Sequence, residues 1–219
     1  MPMLKKFGLA ATLAAGVATF ASLADAAVLT SGAPSTSFSW SYNTGNAAIG
    51  ILSGSGSVSA AGFNGSSLTL TFTLNNTSSP ASDRLTIFGF GIDPNATSVG
   101  FNDPQGNDGG MTDAKFGDIP SIKTVDVCAT SGNNCSGGGG GGIDGGASDT
   151  FKIILGGVWG SSVTIDPLAM KYQTSGGSYE FTATDRGPAE DLPEPATLAL
   201  FGMGLAGLGL TLRRRHRAA

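Results

Sequence analysis

Between Ser67 and Asn75 the chain reads SLTLTFTLN, with Leu68, Leu70, Phe72 and Leu74 on one side of a two-residue period and Thr69, Thr71 and Thr73 on the other. A period of two separates these residues only on a strand with one face buried and the other in water. Around this segment the chain is rich in Gly, Ser, Thr and Asn and poor in Leu, Ala, Glu and Lys, which disfavours helix and suits short strands joined by turns. The pattern predicts an antiparallel sheet, half-buried.

The same reading predicts strands over Ser37–Tyr42, Arg84–Ile92, Thr124–Ala129, Thr150–Leu155, Val163–Ile165 and Tyr179–Thr184, with weaker ones over Ala48–Leu52, Ser57–Ala60, Ser98–Phe101 and Ala169–Gln173. About ten short strands separated by Gly, Pro, Asn and Asp turns point to a mainly β fold, an antiparallel two-sheet β-sandwich or jelly roll. A β-solenoid would need a fixed repeat of about 20 to 50 residues, and none is found. Two stretches read as long surface loops: Asp93–Pro120, around at most one short strand, and the glycine run from Gly137 to Gly142 with Gly145 and Gly146, expected to be mobile.

The two ends follow a different rule. Lys5 and Lys6 precede the apolar run Phe7–Leu23, and Ala24-Asp25-Ala26 then offers the small residues that signal peptidase requires, placing cleavage between Ala26 and Ala27. Near the other end, Ala196–Leu212 is seventeen uncharged residues, about 25 Å as a helix, followed at once by Arg213, Arg214, Arg215 and Arg217. Cations just past an apolar stretch hold it in a membrane with the tail cytoplasmic. Gly202, Gly204, Gly207 and Gly209 argue for a transient anchor over a tightly packed one. The expected organisation is a signal peptide (1–26), an ectodomain (27–188), an acidic, proline-bearing linker (189–195), a transmembrane helix (196–212) and a basic tail (213–219).

Between Ala27 and Leu192 six basic side chains face fourteen acidic ones, a net charge of −8. Without a basic stripe to neutralise phosphates, nucleic acid is excluded as a partner. The single histidine, His216, lies in the basic tail, so neither a catalytic triad nor an imidazole metal site is available to the ectodomain. Cys128 and Cys135 are the two cysteines; in an oxidising compartment the default is a disulfide, while a zinc site would lack ligands.

Asp93, Asp103, Asp108, Asp113 and Asp118 fall in one loop region, and paired acids can cleave glycosidic bonds when a pocket raises the pKa of one of them. Among turn residues they are expected to be solvated instead. Asn102–Gly109 also holds candidate calcium ligands, Asp103 and Asp108, without the spacing or the closing Glu of an EF-hand loop; Asp and Asn as turn formers is the plainer reading. The glycine run lacks the Gly-Lys-Ser/Thr of a phosphate loop. Trp40, Tyr42, Trp159, Tyr172 and Tyr179 would stack on sugars if exposed, but such residues more often belong to the core.

Pro193-Glu194-Pro195, the glycine-interrupted apolar segment and the arginine cluster together resemble the PEP-CTERM sorting signal of Gram-negative bacteria. Leu192-Pro193-Glu194 opens like a sortase signal, but the Thr-Gly bond that a sortase cuts is missing. A GPI signal would end without a basic cluster. The ectodomain, through GFGIDPNATSVG, the cysteine pair and the glycine run, is similar to a PEP-CTERM subgroup known as the cistern family.

The resemblance implies export, recognition of Pro193, Glu194 and Pro195 by an exosortase in the inner membrane, and release or transfer to the cell surface or extracellular polysaccharide. The expected function is that of a non-enzymatic surface or matrix protein without cofactors. The alternative is a carbohydrate- or calcium-binding adhesin module.

Overall fold

The computed structural model of the protein describes residues 26–106, 109–137 and 140–187. The expected signal helix and transmembrane helix lie outside these residues. Eleven strands are present among them: β1 (Ala27–Thr30), β2 (Ser35–Asn43), β3 (Ile51–Ala61), β4 (Ser67–Asn76), β5 (Arg84–Asp93), β6 (Ser98–Asn102), β7 (Asp113–Phe116), β8 (Val127–Thr130), β9 (Ser148–Gly156), β10 (Ser162–Thr174) and β11 (Gly177–Thr182).

They form two antiparallel sheets packed as a sandwich. The five-stranded sheet runs β2-β3-β4-β9-β6; the six-stranded one runs β1-β10-β5-β8-β7, with β11 also paired to β10. The alternation of β4 sets the register: Leu70 faces Ile153 and Phe72 faces Phe151 of β9, so apolar partners share the inner face. Phe72 links the sheets, its ring centroid 5.2 Å from Phe88 and 5.7 Å from Phe151.

Departures from the sequence reading have local causes. Ala48–Leu52 and Ser57–Ala60 were expected as separate strands, but β3 is continuous through Gly54 and Gly56. Those glycines occupy inward positions where Trp40 and Phe38 fill the space; a Cβ on Gly56 would lie 2.6 Å from Phe38 Cζ. Val163–Ile165 and Ala169–Gln173 likewise fuse into β10, whose pairing with β5 shifts between Ile165 and Leu168. Pro167 sits at that shift, where its missing N–H is tolerated. The expected loop Asp93–Pro120 contains two strands, and β7 pairs with β8 on the edge of the larger sheet. The short β1 was not anticipated, although its first residue is the one expected to follow signal cleavage.

β5 is buried along nearly its whole length because both faces of the larger sheet are covered. Its inner side contributes to the main core. Its outer side lies under a second cluster of Ile87, Ile119, Val125, Cys128, Cys135 and Ala169, supplied largely by the segments between β7 and β9. The glycine run is also part of the fold where it is described: Gly142, Gly145 and Gly146 donate backbone hydrogen bonds to Gly109, Ala81 and Asn76, at 2.9, 3.0 and 2.7 Å. Glycine is used there for close backbone approach, not for mobility. Every strand, both clusters and the disulfide fall within 27–187, so this segment carries a complete core of its own.

Candidate functional site

The smaller sheet presents a face of short hydroxyls. Alternate residues of β2 from Ser35 to Ser41, of β3 from Ser53 to Ser59 and of β4 from Thr69 to Thr73 all point outward. Registers place Ser37 opposite Ser57, Ser57 opposite Thr73, and Thr73 opposite Thr150 of β9, giving a row across four strands. Thr73 Oγ1 and Thr150 Oγ1 are 2.9 Å apart. Lys152 is the charged residue of this face, and none of its described residues is a carboxylate. The repeated Ser-x-Ser pattern of β2 and β3 was the available sequence signal, hidden by the glycines of β3.

The aromatic residues are not a sugar platform. Trp40, Trp159 and Tyr172 are buried, and partly buried Tyr42 stacks on Phe181 with ring centroids 4.4 Å apart and tilts against Tyr179. Trp40 and Tyr172 join a polar layer between the sheets. Trp40 Nε1 donates to the Tyr172 hydroxyl at 2.9 Å, and that hydroxyl donates towards Asn76 Oδ1 at 3.2 Å. Asn76 Nδ2 donates to the carbonyls of Asp83 and Ile143, while Asn76 Oδ1 also accepts from Ser78 N. Burial outweighs the hydrogen bonds from Trp40 and Ser78 and pushes the Tyr172 phenol up to about 12.

Asp83, beside this layer, is fully buried, and neither carboxylate oxygen has a hydrogen-bond partner. Burial raises its pKa from the ordinary value. The Ser- and Pro-bearing turn before it and Arg84 after it gave no hint of this.

The acidic loop does not assemble a site. Asp103 Oδ1 accepts from Gln105 N at 2.8 Å, an Asx-turn; Asp113 pairs with Lys115 at 3.2 Å and Asp118 with Lys123 at 3.8 Å. Asp108 lies outside the described residues. Among the described residues no group of three metal-ligating side chains occurs. A polar cleft of about 160 Å³ between the loops at 109–110 and 140–148 is lined mostly by backbone; its Arg84 guanidinium already engages Asp144 at 3.4 Å and the Gly140 carbonyl.

Cys128 and Cys135 are joined in a disulfide, with Cα atoms 5.8 Å apart. The loop it closes packs over the outer face of the larger sheet. Lys171 Nζ fastens it by donating to the Ser136 carbonyl at 2.7 Å and to Glu180 Oε1 at 2.6 Å, while Glu180 Oε2 accepts from Ser121 N at 2.7 Å. Burial alone would raise the Glu180 carboxyl; Lys171 and Ser121 together outweigh it and hold the group below its ordinary value. Reducing the disulfide should cost about 2.5 kcal/mol for so short a closed loop. Denaturant midpoints measured with and without reductant check this, and coincident midpoints would show that loop closure contributes nothing.

At the C-terminal end, Asn43 N donates to the Arg186 carbonyl at 2.9 Å and Arg186 Nη1 to the Ser41 carbonyl at 3.3 Å. The described chain therefore ends, at Gly187, along the edge strand β2. Shortly beyond, residues 191–215 match the family model of the PEP-CTERM protein-sorting motif. The chain carries a PEP-CTERM sorting signal. The matched stretch holds Pro193, Glu194, Pro195 and Arg213 to Arg215, and Arg217 follows it; all lie outside the described residues, as does Ala24 of the expected cleavage site. Ala26 is exposed and Ala27 opens β1. Among the described residues no helix is long and apolar enough to cross a membrane. No curated protein and no solved structure gives a significant match to the chain. The PEP-CTERM motif marks the protein as exported, sorted to the cell surface and processed by an exosortase.

Proposed function

We propose that the β-sandwich is a non-enzymatic domain displayed at the cell surface or in the extracellular matrix, delivered by signal peptidase at one end and exosortase at the other. The observation that carries this reading is a sorting motif beginning at residue 191, directly after a domain that ends at the edge of its own sheet. Before processing, the apolar segment 196–212 holds the protein in the inner membrane with its arginines inside. Of the expected catalytic loop, Asp103 is engaged in a turn and Asp113 and Asp118 in ion pairs, which favours display over hydrolysis.

Intact mass of the protein from a producing strain tests the proposal. With exosortase present, the mature chain should lack both residues 1–26 and the C-terminal apolar segment. Deleting the exosortase, or making the double substitution Pro193→Ala/Glu194→Ala, should retain the C-terminal mass in the membrane fraction. Identical masses in all strains, or protein confined to the cytoplasm, would sink it.

A further inference from the structure

We propose that the open edge of β2 pairs with β2 of a second copy of this chain, antiparallel and about a two-fold axis, joining two five-stranded sheets into one. Backbone chemistry gives the first reason. β2 pairs with β3 on one side only, in unbroken register from Ser35 to Asn43. Even-numbered residues turn their backbone groups towards β3, as the Pro34 carbonyl does in accepting from Ala60 N at 2.8 Å. Odd-numbered ones face the other way: Asn43 N donates to the Arg186 carbonyl, and the Ser41 carbonyl accepts from Arg186 Nη1. Since this alternation runs along an antiparallel strand, the N–H and C=O of Ser35, Ser37 and Ser39 also point away from β3. All three residues are exposed, and among the described residues none of these backbone groups has a partner on that side.

Comparison with the other edges gives the second reason. An open ladder recruits further strands, so sheets guard their edges with shortness, charge, proline or a bulge. β1 and β7 have four residues each and β6 has five; β7 also carries Asp113 and Lys115, and β11 carries Glu180. β2 has nine residues, no charge, no proline and no bulge.

The geometry favours a second copy as the occupant. With Ser37 opposite Ser37 at the two-fold axis, Ser35 of each copy meets Ser39 of the other, and every opposed pair exchanges two N–H···O bonds. The side chains at closest approach are small serines, and neither β2 nor the adjoining β3 holds a charge, so two acidic copies meet without bringing like charges together. The chain's own continuation does not serve: after Gly187 comes Pro188, which has no N–H to carry the Arg186 contact further along the edge. Each copy has one such edge, so association closes at the dimer. The inference adds a partner to the displayed domain and is independent of how that domain is delivered.

Sedimentation equilibrium of residues 27–187 at physiological ionic strength tests it, together with amide hydrogen exchange read by NMR. The average mass should rise with concentration and level off at twice the monomer, while the amides of Ser35, Ser37 and Ser39 exchange more slowly in the dimer. Ser37→Glu/Ser39→Glu and Ser37→Lys/Ser39→Lys each set like charges about 5 Å apart across the axis. Each should weaken self-association by roughly tenfold or more, and the two variants mixed in equal amounts should dimerise. Thr71→Glu/Thr73→Glu adds the same charge to the same face on β4, two strands in from the edge, and should associate as the unsubstituted domain does. A domain that stays monomeric up to about 1 mM, equal exchange of the three amides at low and high concentration, self-association that survives the edge charges, or a mixture that stays monomeric would overturn the proposal. The exchange measurement needs no variant, and processing read from intact mass is unaffected by any of these outcomes.

Discussion

Replacing Asn76 with leucine is expected to cost the domain about 3–5 kcal/mol, the sum of leaving several buried groups unsatisfied at about 1–3 kcal/mol each. Asn76 is buried at the end of β4, where the alternation of that strand points it between the sheets. Its amide answers the carbonyls of Asp83 and Ile143, and its oxygen takes the Ser78 N–H and the Tyr172 hydroxyl. Leucine has a similar size but offers none of these bonds. A domain of this kind has about 5–15 kcal/mol of total stability, so the loss would be visible as a large fall in denaturant midpoint. Asn76→Asp separates size from bonding: at pH 7 it sets a buried carboxylate against the two carbonyls and should cost at least as much as leucine, with partial recovery at low pH, where the neutral acid regains one donor. A leucine variant as stable as the wild type would show that the polar layer contributes nothing net.

Asp83→Asn is expected to act in the opposite direction and to depend on pH. Burial without a partner raises the Asp83 pKa in the folded state above the ordinary value of 3.8, so the folded protein prefers the neutral acid. Stability contributed by this group is greatest below the unfolded-state pKa and declines as pH rises from there through the folded-state pKa. Asparagine imitates the neutral acid at every pH. The variant should therefore match the wild type near pH 3 and exceed it at pH 7, by about 1–3 kcal/mol for relieving an unpaired buried carboxylate. Thermal melts across that range read the difference, and a variant less stable than the wild type at pH 7 would mean that the carboxylate is paired in solution. Glu180 has the reverse sign. Its carboxyl is held low by Lys171 and Ser121 against the cost of burial, so its contribution is present at neutral pH and lost as pH falls through the folded-state value. The acid limb of the wild-type profile therefore contains both trends, and Asp83→Asn isolates one of them.

The strands whose apolar residues alternate without interruption were legible in the sequence: β4 differs from the expected Ser67–Asn75 by one residue, and the core of β9 was found as Thr150–Leu155. Strands were misread where a residue's local habit opposed its place in the fold. Gly54 and Gly56 looked like breaks in β3, and they stand instead where aromatic neighbours leave no room for a side chain. Pro167 looked like the end of a strand, and the sheet absorbs it in a shift of register. β7 was hidden among turn formers because only four residues pair there.

The site residues divide in the same way. The sorting motif and the cysteine pair were visible because each is a local pattern in the chain. The hydroxyl face was not, since its rows join residues from β2, β3, β4 and β9 that are more than a hundred positions apart in the sequence.

The sequence by itself determined the sheet class, the C-terminal sorting motif and the acidity of the stretch between Ala27 and Leu192, because periodicity, short motifs and charge are properties of neighbouring residues. Only the tertiary structure decided that Trp40, Trp159 and Tyr172 are buried, that the buried Asp83 carboxylate is unpaired and that the outward hydroxyls of four strands form one surface free of carboxylates. Strand order and sheet packing decide which faces are enclosed, and both depend on contacts between residues far apart in the chain.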